Sequence, residues 1–518
     1  MACSESSGKG EVMHHDARNS RRGSALILFT LLMPTLMLMV GMAVDFTIVW
    51  IVEAKLSEAV DGAALGSGRL LGTQADTDEI ATEFLEANFP TGYWGSYDLT
   101  PHISSTTVFS THTINVAATV NVPLLFGRIL HWDHFPVSAT AVATRRDTRV
   151  ELVLDRSASM SSNIGSLRTA ATQFTNMFTP DVDELGLVVF GGSAFVAYPT
   201  TVSLSSTGPD VHFADTPTSG NDNMLTIISA IKVGTDTGSA EGLWLAYQEL
   251  KTANTIDSDP SKLNAIVFFT DGVPNGFSAY INNATTGMNA LASKSFNGCN
   301  YNPSAGASQD MKGWVAATGS GSGLNFFRPT GSNAAKGTGV YTLATSNTHS
   351  AKYLAGTGAT DDMTQLSGTT PFNGCKTSGS YKVSDLSFLS KIPPQDLYGN
   401  STSGAAVPDS LLYKTFNTNY NANQPTSGYQ VALASWNAID NAAQTILADT
   451  TLNTAIYCIG YTGNGGVDAT LLKRIANTKD SNNYTSAWQT GLYVEAGNST
   501  ELETAFNTVA SSILRLAR

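Results

Sequence analysis

Charged residues are scarce in this 518-residue chain, where Asp, Glu, Lys and Arg together make up 14%. The little charge there is leans one way, with 29 Lys and Arg against 42 Asp and Glu, a net charge of -13. A nucleic-acid partner would call for a basic face, so that class of function is excluded. Cysteine is rarer still, with four in all, and there are eight histidines. Neither the cysteine spacing nor the histidine placement forms a zinc-ligand pattern. The histidines gather mainly in the N-terminal tail and at positions 102, 112, 131 and 134. A serine nucleophile elsewhere would therefore lack an evident imidazole base, which argues against a hydrolase.

Between Ser24 and Val44 charge is missing altogether, and Leu, Met, Val and Ala dominate. As a helix this segment is about 30 Å long, the thickness of a bilayer's hydrocarbon core. Pro34 near its middle is tolerated in such a helix. Lys9, Arg18, Arg21 and Arg22 precede the run, whereas Asp45, Glu53, Glu58 and Asp61 follow it. The positive-inside rule then places residues 1–23 in the cytoplasm and the chain after Val44 on the other side. The competing reading is a cleaved signal peptide with Gly41-Met42-Ala43 as its small-residue site. Its apolar region would be unusually long, so a retained single-pass anchor is expected.

What the chain has in quantity is Gly, Ser, Thr and Asn, a composition common in exported, surface-facing proteins. Its length exceeds one ordinary core and implies two or more units. A helical pattern continues from Ile48 to Leu71 through Ile51, Ala54, Leu56, Val60, Ala63 and Ala64. Period-two alternation over Thr113–Val122 and Val137–Thr144 predicts two half-buried strands in a small connector.

From Val150 the pattern changes to buried strands alternating with amphipathic helices. Val150-Glu151-Leu152-Val153-Leu154 is an apolar strand that ends in Asp155-Arg156-Ser157-Ala158-Ser159. Further strands fall at Leu185–Phe190 and Asn264–Phe269, the latter followed by Thr270-Asp271-Gly272. Phe195–Val202 is a candidate to pair beside the first of these. A loop carrying Thr235 and Thr237 opens a helix through Leu243, Leu245, Ala246 and Leu250. Such alternation predicts a doubly wound, mostly parallel α/β sheet.

In such sheets, ligands bind beyond the carboxyl ends of the strands. Asp155, Ser157, Ser159, Thr237 and Asp271 would converge there and offer only hard oxygen atoms, which suits Mg²⁺ or Ca²⁺ better than zinc. Taken alone, Asp155-Arg156-Ser157-Ala158-Ser159 reads equally well as a Ser-rich N-cap of the next helix.

Between about Gly276 and Pro425 the strand–helix rhythm lapses into a Gly/Ser/Thr/Asn-rich stretch. Its aromatics, Trp314, Tyr341 and Phe372 among them, predict an inserted, loop-rich subdomain rather than a disordered linker. Cys299 and Cys375 lie there in matching Phe-Asn-Gly-Cys contexts and are expected to form a disulfide in an oxidising compartment. Closing that loop would contribute on the order of 4 kcal/mol in the chain-entropy view. Cys458, inside an apolar strand pattern, is expected to be a buried, inert thiol. The alternation resumes with a helix over Tyr429–Leu447, the strand Ala455–Tyr461, a helix at Leu471–Ala476, a strand at Leu492–Glu495 and a final helix, for which Asn498 with Glu501 forms a capping box.

Two family resemblances follow. Arg21-Arg22-Gly23-Ser24-Ala25, the apolar run, Val44-Asp45, and Leu56 with Ala59-Val60-Asp61-Gly62-Ala63-Ala64-Leu65 resemble the start of TadG-like proteins, membrane-anchored accessory proteins of bacterial tight-adherence (Flp) pilus systems. Pseudopilins of those systems carry a Glu five residues after the processing glycine. Leu28 stands there, counted from Gly23, which favours a permanent inner-membrane anchor.

The second resemblance is to the von Willebrand factor A domain with its metal-ion-dependent adhesion site. Asp155, Ser157 and Ser159 match its D-x-S-x-S, Thr237 its threonine and Thr270-Asp271-Gly272 its T-D-G. Thr235 is the rival threonine, but its distance from Gly242 fits less well. This resemblance implies Mg²⁺, or Mn²⁺ or Ca²⁺, and a protein ligand whose acidic residue completes the metal shell. Other pilus-assembly components are further expected partners.

The expected organisation is a basic tail (1–23), a transmembrane helix (24–44), a helix extension with a β connector (45–148), the A domain in two parts (149–275 and 426–518) and the insertion (276–425). The expected function is non-enzymatic: pilus assembly, anchoring or adhesion through cation-dependent protein binding. The alternatives are a structural envelope protein whose metal only stabilises the fold and a metal-dependent hydrolase.

Overall fold

The computed structural model describes residues 18–73, 76–191, 194–199, 208–217, 223–234, 237–281, 311–317, 324–325, 393–404, 428–464 and 466–517. The chain divides into two compact units, Met1–Thr106 with Thr113–Thr144, and Thr107–His112 with Arg145–Arg518.

The first unit is organised on α1 (Arg18–Gly68), a single helix of 51 residues with Pro34 inside it. Leu28–Gly68 is long and apolar enough to cross a membrane, judged by length and composition. The later turns of α1 carry Val52, Leu56, Ala59, Val60 and Ala63, all fully buried. They share one apolar core with Ala81 and Leu85 of α2 (Thr77–Asn88) and with Ile114, Val116 and Ala118. Asp76 caps α2 by accepting from Asp78 N at 3.2 Å and Glu79 N at 3.1 Å.

The unit also carries a three-stranded sheet in the order β1 (Tyr97–Val108), β2 (Thr111–Pro123), β3 (His134–Arg146). β2 and β3 contain the two strands expected from alternation. β1 was not anticipated, and the reason is physical. Leu99 and Ile103 are half-buried against the core, but Pro101 stands between them and the run from Ser104 to Thr107 is polar, so the apolar period is too short to read.

The second unit holds a six-stranded sheet in the order β12-β11-β7-β4-β5-β6. Its strands are β4 (Thr148–Asp155), β5 (Glu184–Phe190), β6 (Ala194–Tyr198), β7 (Leu263–Thr270), β11 (Ala455–Tyr461) and β12 (Leu492–Ala496). All neighbours run parallel except β6, which pairs antiparallel with β5. Only three positions separate β5 from β6, and a parallel pairing would need a crossover of a dozen or more residues.

Side chains alternate across this sheet. Val150, Leu152 and Leu154 face one apolar cluster together with α3 (Ile164–Thr175), α4 (Met224–Ala230) and α8 (Ser499–Leu516). Val153, Ile266 and Phe268 face a second cluster with α5 (Ser239–Ile256), α6 (Gly428–Ala448) and α7 (Ala469–Ile475). Helices thus cover both faces, as a parallel sheet requires. Asn498 caps α8 as expected, its Oδ1 accepting from Glu501 N at 3.0 Å, while Glu501 Oε2 reaches back to Gly497 N, one residue before the cap, at 2.7 Å.

A smaller antiparallel sheet joins β8 (Gly276–Ile281), β9 (Met311–Ala317) and β10 (Leu324–Asn325) within the span expected to be an insertion. Cys299 and Cys375 lie outside the described residues. Cys458 is buried and free, and burial pushes its thiol far above the ordinary range.

Candidate metal centre at the carboxyl edge of the sheet

β4 and β7 lie side by side at the centre of the large sheet. From them the chain winds outward in both directions, to β5 and β6 on one side and to β11 and β12 on the other. The strand order therefore reverses between β4 and β7, and a crevice opens beyond the carboxyl ends of strands at such a switch point. Leu154 pairs with Phe269, which sets Asp155 level with Thr270. Asp155 ends β4, Thr270 ends β7, and Asp271 follows directly.

The side chains of Ser157 and Ser159 do not cap a helix. α3 begins later, at Ile164 behind its N-cap Asn163, and the short turn that starts after Ser157 receives no side-chain cap. Instead their hydroxyls turn towards the neighbouring strand end. Ser157 Oγ lies 2.9 Å from Ser159 Oγ and 3.3 Å from Asp271 Oδ1, while Ser159 Oγ donates to Asp271 Oδ1 at 2.7 Å. Asp155 Oδ1 accepts from Ser157 N at 2.7 Å and Oδ2 from Thr270 Oγ1 at 2.5 Å.

Thr237 sits in the loop before α5. Its N–H donates to Asn275 Oδ1 at 2.8 Å, and Gly238 N donates to Gly191 O at 2.6 Å. A Cβ added to Gly272 would lie 3.7 Å from Thr237 Oγ1 and 3.9 Å from Ser159 Oγ, so both hydroxyls flank the turn that carries Asp271. All five expected ligands are thus gathered at one edge. Asp155, Ser157, Thr237 and Asp271 are buried and Ser159 is exposed, leaving an opening to solvent. Thr235, the rival to Thr237, lies outside the described residues.

The electrostatics fit a cation. Burial, and then the neighbouring Asp271, push the Asp155 carboxyl up to about 7 against the hydrogen bonds from Thr270 and Ser157. Two acids held together in a buried site repel one another unless a proton or a cation comes between them. The donor set is all oxygen, two carboxylates and three hydroxyls, which matches the preference of Mg²⁺ and Ca²⁺.

Two supporting residues had no assigned role in the sequence. Thr270 belongs to the T-D-G pattern, but its donation to Asp155 depends on the β4–β7 register. Asn275 anchors Thr237 from another loop and leaves no local signal. A third group stands nearby on the first turn of α5. Glu241 is buried, Oε2 accepts from Ser278 Oγ at 2.8 Å and from Ala194 N at 3.3 Å, and Oε1 accepts from Tyr398 Oη at 3.3 Å. Burial holds its carboxyl at about 7 despite those bonds. Leu397 N also donates to Ser278 O at 2.7 Å. Two described segments of the 276–425 span, residues 276–281 and 393–404, are thus tied to the start of the helix that follows Thr237.

The strand order, the antiparallel edge strand and the segments meeting at the switch point are those of a doubly wound α/β sheet, the fold expected from the resemblance to the von Willebrand factor A domain. Residues 23–69 match the family described as putative Flp pilus-assembly TadE/G-like. No curated protein matches the chain.

Among solved structures, the PilB minor pilin from Streptococcus sanguinis is similar at 14% identity and a TM-score of 0.33, over 81% of this chain and 79% of that one. The pilus adhesin SpaC from Lactobacillus rhamnosus GG is similar at 11% identity and a TM-score of 0.31, over 83% of this chain and 37% of that one. The vWF domain of the type V pili tip protein Mfa5 from Porphyromonas gingivalis is similar at 15% identity and a TM-score of 0.30, over 73% of this chain and 98% of that one.

Proposed function

We propose that this chain is a membrane-anchored, exported component of a Flp-type pilus system, and that its A-type domain binds a protein ligand through a divalent cation. The observation that carries the binding reading is the meeting of Asp155, Ser157, Ser159 and Asp271 within hydrogen-bond distance at the sheet's switch point. The pilus context rests on the TadE/G-like match over residues 23–69. The anchor rests on the apolar α1, and its orientation on the basic residues before the span.

Asp155, Ser157, Ser159, Thr237 and Asp271 would hold Mg²⁺, or Mn²⁺ or Ca²⁺. The bound cation would supply positive charge able to accept a carboxylate from a partner. The protein's own part is to hold the five oxygen groups ready. Thr270 orients Asp155, Asn275 orients Thr237, and the strand pairing fixes the distance between the two acids. Among the described residues Ser157 Oγ is hydrogen-bonded to Ser159 and Asp271 and to no imidazole, an arrangement that favours ligand binding over nucleophilic catalysis.

The test is affinity purification of the full-length chain from its own cells, in Mg²⁺ and in chelator, beside the Asp155→Ala variant. Partner proteins retained in Mg²⁺ but lost in chelator and in the variant are expected. Equal retention in all three would sink the proposal. A melting temperature raised by Mg²⁺ with no cation-dependent partner would favour a purely structural metal. Turnover of an ester or phosphate substrate would instead favour a hydrolase.

A further inference from the structure

Beside the end of the uncharged run, the first unit carries an apolar loop that its own core does not explain. Between β2 and β3, Leu125 is 62% exposed, Ile129 68% and Trp132 57%, with Phe126, Leu130 and Phe135 also exposed. Five large apolar side chains on one short loop, with Phe135 just inside β3, are more than a scatter of single exposed residues. The loop is nonetheless firmly placed. Asp45, the first charged residue after the uncharged run, is buried, and its carboxylate accepts from Leu125 N at 2.8 Å, Phe126 N at 2.9 Å and Gly127 N at 2.8 Å. One turn earlier on α1, a Cβ at Gly41 would collide with the Phe126 ring. Phe126 therefore lies against α1 at the level of Gly41, within the uncharged stretch.

We infer that this loop is a membrane-interface element, seated in the headgroup and upper acyl region of the leaflet where α1 leaves the bilayer. The inference rests on reading α1 as a membrane anchor. The occupant follows from continuity: the apolar loop adjoins the apolar span at its last turn, so lipid that surrounds Gly41 also meets Phe126. Trp and other aromatic rings favour that boundary. Arg128, His131 and Asp133 between the apolar positions can stay in the headgroup layer, as amphipathic side chains do. Asp45 needs no water of its own there, since three N–H groups already satisfy it.

This placement answers a question α1 leaves open. At 1.5 Å per residue α1 is about 75 Å long, and only about 20 of its residues fit the hydrocarbon core. The loop fixes which ones, by setting the exit near Gly41–Asp45. Asp45 is the positioning residue in this arrangement.

The full-length chain in phosphatidylethanolamine–phosphatidylglycerol nanodiscs, doped with lipids brominated shallow or deep in the acyl chain, tests this. The signal of Trp132 is read as the difference between the wild type and Trp132→Phe. Strong quenching by the shallow label and weak quenching by the deep one are expected. Asp45→Asn should lose most of the shallow quenching, because an amide cannot accept all three N–H bonds. Leu125→Asp with Ile129→Asp should lose it with the melting temperature unchanged. Entry into the nanodisc without quenching at Trp132 overturns the loop assignment alone. Failure to enter overturns the anchor and the loop together. Quenching equal for both labels, or unmoved by Asp45→Asn, overturns the fixed depth.

Discussion

Glu151 on β4 and Glu249 on α5 are both buried on the same side of the large sheet. Both Glu151 carboxyl oxygens and Glu249 Oε1 lack a hydrogen-bond partner among the described residues. Burial raises both carboxyls, and Glu249 adds to the shift at Glu151; Glu249 itself stands at about 8. A carboxyl raised in this way keeps its proton in the fold after the unfolded chain has lost it. The share of stability that Glu249 contributes should therefore fall as pH rises from the ordinary Glu value of about 4.3, and level off above its folded value of about 8. Glu249→Gln should make that slope shallower. Calorimetry at pH 8 should show the variant melting a few degrees above the wild type, with no gain at pH 4.5, since about 1 kcal/mol moves the midpoint by ~2–4 °C in a domain of this size. Equal slopes would mean the pair ionises freely inside the fold. Nothing in the sequence around Glu151 or Glu249 announces this pair, because it depends on which helix packs across which strand. Asp155, Ser157, Ser159, Thr237 and Asp271 were legible for the opposite reason. Each stands at a strand end or a helix start, where the change of pattern is local, and the parallel topology alone brings those ends together.

At the scale of elements, the approach of α5 to the sheet is set by a single small residue. A Cβ on Gly242 would lie 2.8 Å from Phe190 Cδ1, and Phe190 is itself buried and stacked on Phe268 at 5.3 Å between centroids. Neither ring has room to retreat without disturbing the other. Gly242→Ala should cost about 1–3 kcal/mol, the usual range for overpacking a filled core. It should also move the start of α5, and Thr237 with it, so Mg²⁺ affinity should fall in the same variant. Urea unfolding and cation titration would check the two effects, and unchanged stability would show that α5 has slack the packing does not suggest. The elements themselves were readable wherever burial imposes a period. Two-sided burial makes β4, β5, β7 and β11 continuous apolar runs, and one-sided burial gives α3 and α8 their stripes. β1 escaped because Pro101 interrupts its short apolar face, Leu99 and Ile103, and the rest of the strand is mostly polar. The direction of β6 was not legible either, since it depends on the length of a link and not on composition.

For the molecule as a whole, the decisive question is on which side of the membrane the unit with the six-stranded sheet lies. Ser24–Val44 has no charge, Arg18, Arg21 and Arg22 precede it, and Asp45 follows it. The bias of basic residues sets the orientation of a single span, so everything after the span should be exported. A reporter that folds only in an oxidising compartment, fused after Arg518, should then be active, and a cytoplasm-dependent fluorescent reporter at the same position should stay dark. Replacing Arg18, Arg21 and Arg22 with Ser should weaken the first signal and raise the second. The same compartment would let Cys299 and Cys375, outside the described residues, form the disulfide expected from their matching contexts. Alkylation under denaturing conditions, before and after reduction, should then show two cysteines released only by reductant. An inactive reporter with all cysteines alkylated at once would put the domain in the cytoplasm. The proposed cation site could then not serve a partner outside the cell, however well Asp155 and Asp271 bind Mg²⁺.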